Sequence, residues 1–298
     1  MITPIILFVY NRPFHTKLVI DALLKNELAN RTPLIIYSDG AKREYHVEAV
    51  RNVREIIHKI KGFANIEIIE RKINIGLADS IISGVDEVLN KYDQTIVLED
   101  DLITSPFFLQ YMNDALRLYS DREKVASVHG YCYPVQRQMP DTFFLKGADC
   151  WGWGTWKRAW KTFERNPLVL LSQLAKNNRI KQFDYDGTVN NYKMLRKQAA
   201  GKIDSWAIRW HASCFLQNMF TLYPGKSLIK NIGNDQTGTH TQATNDYDVD
   251  IANECINLVE IKVEEKQEIL NIVEGYFKSI KMNYLQKLIF LLKNKFNR

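Results

Sequence analysis

Three consecutive acidic residues, Glu99, Asp100 and Asp101, follow the apolar segment 95–98. Neighbouring carboxylates repel one another, and burying them without a partner costs free energy. A cation is the natural compensation, because Mg²⁺ and Mn²⁺ prefer oxygen ligands and can bind the phosphates of a substrate at the same time. We therefore predict a divalent metal site here; an acidic loop in solvent is the alternative interpretation.

Two more polar loops come directly after apolar segments. Asn11 and Arg12 follow residues 4–10, and Asp39 follows residues 34–37. Each of these loops is a candidate for ligand binding. The alternatives are a surface charge beside a proline turn for Arg12 and a turn-forming role ahead of a glycine for Asp39.

The elements that must position these loops alternate along the first hundred residues. Alternating strands and helices predict βαβ units, and hence an α/β fold with a mostly parallel sheet covered by helices. Ligands on such sheets bind beyond the carboxyl ends of the strands, which is where the three polar loops lie. The predicted strands are 4–10, 34–37, 66–70 and 95–98, and the predicted helices are 14–28, 44–61 and 77–91.

The rest of the chain is less regular. A helix is predicted over 107–120, and residues 125–240 are rich in Trp, Tyr, His and Gly. We predict one domain over 1–250, with a nucleotide-binding half at 1–105 and a second half of the cleft at 106–250. Residues 251–298 are predicted to form a helical extension with a basic amphipathic end.

Composition narrows the classes of function. The net charge is +6, but residues 281–298 contain five basic residues and no acidic one, which leaves about +1 for the rest. A nucleic-acid-binding enzyme would carry its positive charge over a broad face, so we expect no nucleic-acid partner. The chain also lacks the glycine-rich phosphate-binding signatures of P-loop ATPases and Rossmann dehydrogenases.

Location and redox state follow from simple patterns. The first fifteen residues show no signal-peptide pattern, so we expect a cytoplasmic protein. Four cysteines without C-x-x-C spacing suggest neither a zinc site nor a disulfide framework. The basic amphipathic run 284–298 favours a peripheral contact with the inner face of the cell membrane; docking on the domain is the alternative.

Several segments in succession resemble the GT-A glycosyltransferases. The resemblance is to N-acetylglucosaminyltransferase I and its bacterial relatives, and it covers about residues 3–240. The E-D-D block is its most specific part, and the other segments gain weight from their order. The segments are P-I-I-L-F-V-Y-N-R, P-L-I-I-Y-S-D-G, N-I-G-L-A, V-L-E-D-D-L-I-T-S-P-F-F-L-Q-Y and G-W-G-T-W.

This resemblance implies a metal-dependent inverting glycosyltransferase. The donor would be a UDP-sugar, with UDP-N-acetylglucosamine as one candidate, and the metal would be Mn²⁺ or Mg²⁺. By position, Arg12 would contact the nucleotide and Asp39 the uracil. Asp100 would contact the ribose, Asp101 would bind the metal, and Glu99 would lie close to the donor sugar.

Inverting transfer also needs a base for the acceptor hydroxyl. The family places an aspartate beside a tryptophan after the metal motif, which matches Asp204 next to Trp206 in K-I-D-S-W-A-I-R-W. Asp149, ahead of the G-W-G-T-W segment, is the alternative base. Asp204 could instead cap a helix over 205–215.

Two further segments could contact ligand. The block 151–160 holds four tryptophans, which could stack on sugar rings or pack in the core. The loop 235–241 carries His240, for which a metal ligand, a diphosphate contact and a plain loop residue are all open.

The acceptor is expected to be a saccharide or a lipid-linked glycan used in making surface polysaccharide or glycolipid. Two other functions stay open at this point. One is a sugar-phosphate nucleotidyltransferase, although the expected glycine-rich, Arg-Lys-containing signature after the first strand is absent. The other is a catalytically silent protein that binds nucleotide sugars on the same scaffold.

Overall fold

A computed structural model describes residues 2–235 and 245–296, with side chains left out at 283–285 and 287–296. The chain forms an α/β structure whose strands and helices alternate in the first hundred residues. The strands are β1 (Ile5–Val9), β2 (Pro33–Ser38), β3 (Asn65–Glu70), β4 (Gln94–Glu99), β5 (Leu102–Thr104), β6 (Val125–His129), β7 (Thr142–Lys146), β8 (Trp153–Trp156), β9 (Phe220–Pro224) and β10 (Ile229–Asn231).

Helices separate consecutive strands in most of the first half of the chain and form a longer run between β8 and β9. Short 3₁₀ turns at Ala29–Arg31 and Glu44–His46 precede β2 and the second helix. The helices are α1 (Pro13–Leu23), α2 (Val47–Ile57), α3 (Leu77–Lys91), α4 (Phe108–Leu118), α5 (Lys157–Trp160), α6 (Pro167–Lys176), α7 (Ile180–Phe183), α8 (Asn191–Ala199), α9 (Trp206–Leu216) and α10 (Gln267–Phe296).

Within the described residues, eight strands form one sheet in the order β3-β2-β1-β4-β8-β6-β9-β7. The strands β3, β2, β1 and β4 pair with one another in parallel, and β6 pairs in parallel with β9. The strands β8 and β7 are antiparallel to theirs. The predicted α/β fold with a mostly parallel sheet is therefore confirmed, and the second half of the chain extends the same sheet.

The strands β1, β2 and β4 hold the polar loops at one edge of the sheet because they are parallel and largely buried. Every residue of β1 is buried, and α3 packs against both β1 and β4. The helix α3 starts after Gly76, whose φ of 84° is a backbone conformation that glycine adopts without strain. The carboxyl ends of β1, β2 and β4 thus open beside the first turn of α3.

The helix predicted over 252–298 begins only at Gln267. Residues 252–266 run along the domain instead, and two of their backbone N–H groups donate to it. The Ala252 N–H donates to the Ser227 carbonyl at 2.8 Å, and the Ile261 N–H donates to the Tyr119 hydroxyl at 2.9 Å. The apolar residues of this segment that pack on the core are two or three positions apart, which is not a regular helical spacing; they are Ile256, Leu258, Ile261 and Val263.

The first turns of α10 pack on the domain. Ile269 and Val273 are buried with Tyr223 in a second apolar cluster, and Phe277 packs against it. These α10 residues are spaced by four, so they lie along one face of the helix. No helix in the described part of the chain is both long enough and apolar enough to span a membrane.

Candidate functional site

A cavity of about 920 Å³ opens at the carboxyl ends of β1, β2 and β4. One wall is made by these strand ends and the first turn of α3, and the other by α8 and the segment leading into α9. The structure therefore brings together residues that are far apart in the sequence. The candidate site residues that line the cavity are Arg12, Asp39, Glu99, Asp100, Asp101 and Asp204.

Arg12 lies between the last two acids of the E-D-D block. Its Nη2 donates to Asp101 Oδ2 at 2.9 Å and also contacts Asp100 Oδ1. The Tyr10 N–H donates to the other Asp100 oxygen at 3.3 Å. Burial alone would lower the pKa of the Arg12 guanidinium, but the two carboxylates outweigh it and raise that pKa. Arg12 is thus a cation fixed by the acidic motif, and the surface-charge interpretation does not hold.

The three acids are only partly compensated by this arginine. Burial, together with the charges of Asp101 and Asp100, raises the pKa of Glu99 to about 8. Burial also raises the pKa of Asp100, although the Arg12 charge opposes the shift. The surroundings that disfavour the ionised form of Glu99 include two neighbouring carboxylates, so an added cation beside them would be stabilised.

Whether a metal ion fits here depends on the side chains that could coordinate it. Among the described residues no three His, Cys, Asp or Glu side chains gather as a metal cage. Mg²⁺ and Mn²⁺ do not need one, because Mg²⁺ in phosphate-using enzymes takes about one or two carboxylates, with substrate phosphates and water completing the shell. Asp101, which is 16% exposed and faces the cavity, offers such a carboxylate. The residues therefore fit a metal that is shared with a phosphate ligand.

Asp39 holds the start of α3. Its carboxylate accepts from the backbone N–H groups of Ile75 and Gly76 at 3.0 to 3.2 Å, and from that of Gly40 at 2.9 Å. Asp39 therefore does bond locally to the glycine that follows it, but Gly40 is only one of three residues whose N–H groups it accepts from. The loop of the N-I-G-L-A segment is fixed by this carboxylate at the cavity wall.

Asp204 lies in the segment that leads into α9 and lines the cavity. Ser205 provides the cap of α9 by accepting from the Ile208 N–H at 3.4 Å, so the helix-cap interpretation of Asp204 is wrong. The Asp204 side chain is 58% exposed, and its nearest cation is Arg209 at 3.8 Å. A β-carbon placed on Gly76 would lie 3.7 Å from Asp204 Oδ2, so this carboxylate lies next to the start of α3.

Asp149, the alternative base, lies elsewhere. It accepts hydrogen bonds from the hydroxyls of Tyr133 and Tyr223, the latter at 3.2 Å. Its neighbours Cys150 and Trp151 line the cavity, but Asp149 is not among the lining residues. The carboxylate of Asp149 is therefore engaged by tyrosines, while that of Asp204 faces the cavity.

The tryptophans of block 151–160 divide between wall and core. Trp153, Trp156 and Trp160 are buried, so the core-packing interpretation holds for these three. Trp151 is half-buried and lines the cavity, where it packs edge-on against Tyr131 at 4.8 Å between ring centroids. Only Trp151 of this block is therefore placed to contact a ligand in the cavity.

Sequence reasoning missed the wall formed by α8. Lys193 and Lys197 lie one turn apart on this helix, are exposed and line the cavity together with Met194. Neither lysine has a carboxylate within 4.0 Å among the described residues. Nothing in the local pattern marks them, because a short basic helix usually indicates a solvated surface.

The loop after β10 packs against the E-D-D motif. The Ile232 N–H donates to the Asp101 carbonyl at 2.9 Å, and a β-carbon on Gly233 would lie 2.2 Å from Asp101 Oδ2. Only glycine allows this approach. His240 lies outside the described residues, so its role as a metal ligand stays a prediction.

Comparisons with known proteins add no family. No protein-family profile and no curated protein matches the chain. Solved structures do match, among them S. aureus TarS, with 12% identity, a TM-score of 0.34, and coverage of 59% of this chain and 30% of that one. A UDP-glucose pyrophosphorylase complexed with UDP-glucose matches with 12% identity, a TM-score of 0.36, and coverage of 74% and 90%.

Another match is mannose-1-phosphate geranyltransferase from Thermus thermophilus. Its identity is 13%, its TM-score 0.38, and the coverage is 78% of this chain and 77% of that one. These TM-scores are too low to support an argument about function, which must come from the cavity itself.

Proposed function

We propose that this protein is a metal-dependent inverting glycosyltransferase that uses a UDP-sugar, with UDP-N-acetylglucosamine as one candidate. The observation that carries the proposal is that a single cavity is lined both by the acidic motif with Arg12 and by Asp204, whose carboxylate is largely exposed. A diphosphate and a reacting hydroxyl can each find suitable partners in this arrangement.

In the proposed reaction, the acceptor hydroxyl oxygen attacks the anomeric carbon of the donor sugar. The bond from that carbon to the diphosphate oxygen breaks, and UDP leaves with the bonding electrons. Asp204 takes the hydroxyl proton, and one positioned carboxylate is enough for this single displacement. The product is inverted at the anomeric carbon.

The other residues bind and orient the donor. Asp101 would hold Mn²⁺ or Mg²⁺, which when bound neutralises negative charge on the diphosphate. Arg12 and Asp100 would contact the nucleotide, and Glu99 would lie beside the donor sugar. Asp39 fixes the loop at the start of α3, where a nucleotide base would also meet its carboxylate. The GT-A resemblance of the E-D-D motif supports these roles.

The acceptor in this proposal is a saccharide or a lipid-linked glycan. It would lie along α8 and the segment 203–207, since Asp204 must reach its hydroxyl. A peripheral membrane contact through residues 284–298 belongs to the same proposal.

The test separates donor binding from turnover. Thermal unfolding of the wild type is followed with a panel of UDP-sugars, with and without Mn²⁺, because a ligand that binds only the folded state raises the unfolding temperature. We expect one UDP-sugar to stabilise the wild type only with Mn²⁺, Asp101→Asn to lose this effect, and Asp204→Asn to keep it. Asp114→Asn, a carboxylate outside the cavity, is the control.

Turnover distinguishes the enzymatic alternatives. Wild-type enzyme should release UDP in the presence of an acceptor, and Asp204→Asn should lower that rate at least about 100-fold, as expected for loss of a general base. Formation of a UDP-sugar from UTP and a sugar phosphate, with release of pyrophosphate, would instead identify a nucleotidyltransferase. Binding without any turnover would identify a silent nucleotide-sugar-binding protein.

A further inference from the structure

A second cavity of about 320 Å³ lies next to the main one; we call it the annex. Small-molecule sites usually measure about 300–1,000 Å³, so the annex has the size of a small subsite. Its wall combines the segment 188–190, Tyr247 and one face of α10. The lining residues are Thr188, Val189, Asn190, Tyr247, Phe277, Ile280 and Lys281.

The annex contains a buried polar group that lacks a partner. Thr188 is 5% exposed, and its hydroxyl has no hydrogen-bond partner among the described residues. Such groups are rare in native proteins, because burying a hydroxyl without a partner costs free energy. Because Thr188 also lines the annex, a ligand bound there would lie beside this unpartnered group.

The backbone beside Thr188 is held in a costly conformation. Tyr185 and Asp186 have φ values of 47° and 54°, which residues other than glycine rarely adopt. Gly187 follows at 81°, and its carbonyl accepts from Lys281 Nζ at 3.1 Å. Strain of this kind persists where the surrounding structure enforces it and is concentrated at ligand sites.

Two residues connect the annex to the main cavity. Asn190 lines both, and it immediately precedes α8, the wall on which Asp204 also lies. The Tyr247 ring lines the annex and packs edge-on against Trp151, which lines the main cavity, with ring centroids 5.6 Å apart. The annex therefore adjoins the acceptor wall and not the acidic end.

We propose that the annex binds a second sugar unit of the acceptor, next to the unit whose hydroxyl reacts. Aromatic rings with a hydroxyl, an amide and an ammonium group form a surface suited to a saccharide, because rings pack on the sugar face and polar groups bond its hydroxyls. The acceptor class is thus an oligosaccharide of at least two units. This inference rests on the proposed function.

The test compares disaccharides with their own monosaccharides. Cellobiose, lactose, maltose and N,N′-diacetylchitobiose are titrated against glucose, galactose and N-acetylglucosamine by saturation-transfer NMR, with UDP and Mn²⁺ present and again without them. We expect at least one disaccharide to bind wild type about tenfold more tightly than its monosaccharide. If none does, the proposal is overturned.

Variants then locate the second unit. Thr188→Val removes the unpartnered hydroxyl, so its unfolding temperature should not fall while the disaccharide preference drops to about onefold. Asn190→Ala should weaken the disaccharide preference as well, because it removes an amide from the annex wall. The variant should still fold, because the Asn190 side chain makes no cap hydrogen bond to α8. Ser279→Ala, on α10 but outside the annex, should keep it. Full preference in Thr188→Val contradicts the proposal.

The outcomes separate the two proposals. A disaccharide preference that depends on Thr188, without any Mn²⁺-dependent stabilisation by a UDP-sugar, would keep the annex as a saccharide site and refute the glycosyltransferase. Stabilisation by a UDP-sugar without a disaccharide preference would support the donor site and refute the annex.

Discussion

One guanidinium nitrogen of Arg12 contacts both carboxylates that end the E-D-D motif, and its distance to Asp101 Oδ2 is 2.9 Å. The Asp100 side chain is only 6% exposed, whereas that of Asp101 is 16% exposed at the cavity. Arg12 therefore holds the motif together, and any metal at Asp101 would share this carboxylate with the arginine.

Arg12→Ala should destabilise the fold, because it leaves buried carboxylates without their cation. Removing one partner of a buried pair costs about 3–5 kcal/mol, and the partial exposure of Arg12 places the expectation near about 3 kcal/mol. The free energy of unfolding from urea titrations measures the loss. Mn²⁺ should restore part of the lost stability in Arg12→Ala and should stabilise the wild type by a smaller amount. The exposed Arg51→Ala should change stability little. Equal Mn²⁺ effects in the wild type and Arg12→Ala would argue against a metal at Asp101.

Asp39→Ala should also cost stability, because the N–H groups of Ile75 and Gly76 lose their acceptor in a partly buried position. Leaving such groups unpaired costs about 1–3 kcal/mol. Asp39→Asn keeps one acceptor oxygen and should lose less. Urea unfolding checks both variants, with the exposed Asp21→Ala as a control. A stable Asp39→Ala that no longer binds UDP-sugars would instead restrict the role of Asp39 to ligand contact.

Gly233→Ala should damage the metal motif while leaving the fold intact. A β-carbon there would lie 2.2 Å from Asp101 Oδ2, so either the loop or the Asp101 carboxylate must shift. We expect the Mn²⁺-dependent stabilisation by a UDP-sugar to fall at least about tenfold in apparent affinity, or about 1.4 kcal/mol. Gly275→Ala, with no atom within 4 Å of the added carbon, is the matched control. Unchanged affinity in Gly233→Ala would show that this approach does not position Asp101.

His129 should make stability depend on pH. The residue is buried, its Nε2 accepts from the Trp151 N–H at 3.0 Å, and burial lowers its pKa from 6.5 to about 4. The unfolded chain therefore binds a proton that the folded chain does not between pH 6.5 and 4, so stability falls as pH falls through this window. This pKa shift corresponds to a change of about 3 kcal/mol in the free energy of unfolding across the window.

The measurement is the free energy of unfolding of the wild type and His129→Gln at pH 7 and pH 4. The advantage of the wild type should shrink by about 3 kcal/mol at the lower pH, because glutamine does not titrate in this range. The buried His211, whose pKa burial also lowers, is present in both proteins and cancels in the difference. The exposed His58→Gln is the control. An advantage that does not change with pH would mean that His129 is not held neutral.

Much of the structure of the first hundred residues could be predicted from the sequence. The helix predicted over 77–91 has these bounds in the structure, and the strands predicted at 4–10 and 95–98 correspond to β1 and β4. Local periodicity was sufficient here because these parallel strands are short apolar runs buried on both faces. The rule that ligands lie beyond the carboxyl ends then placed Arg12, Asp39 and Asp101 at one cavity.

Helix ends were less predictable. The helix expected over 14–28 ends at Leu23, and the one expected over 44–61 covers Val47–Ile57. The helix expected from 252 begins at Gln267, because the preceding residues bond to the domain. Apolar spacing indicates that a segment is buried, but its backbone partners decide where a helix begins and ends.

The sequence by itself determined the acidic motif, the alternation of strands and helices, and the edge of the sheet where polar loops meet. Only the tertiary structure decided that Asp204 faces the cavity while tyrosines engage Asp149, that Trp151 lines the wall while Trp153 is core, and that α8 and α10 build the second wall and the annex. The first group depends on signals within a few residues. The second depends on contacts between segments distant in sequence, which local patterns do not encode.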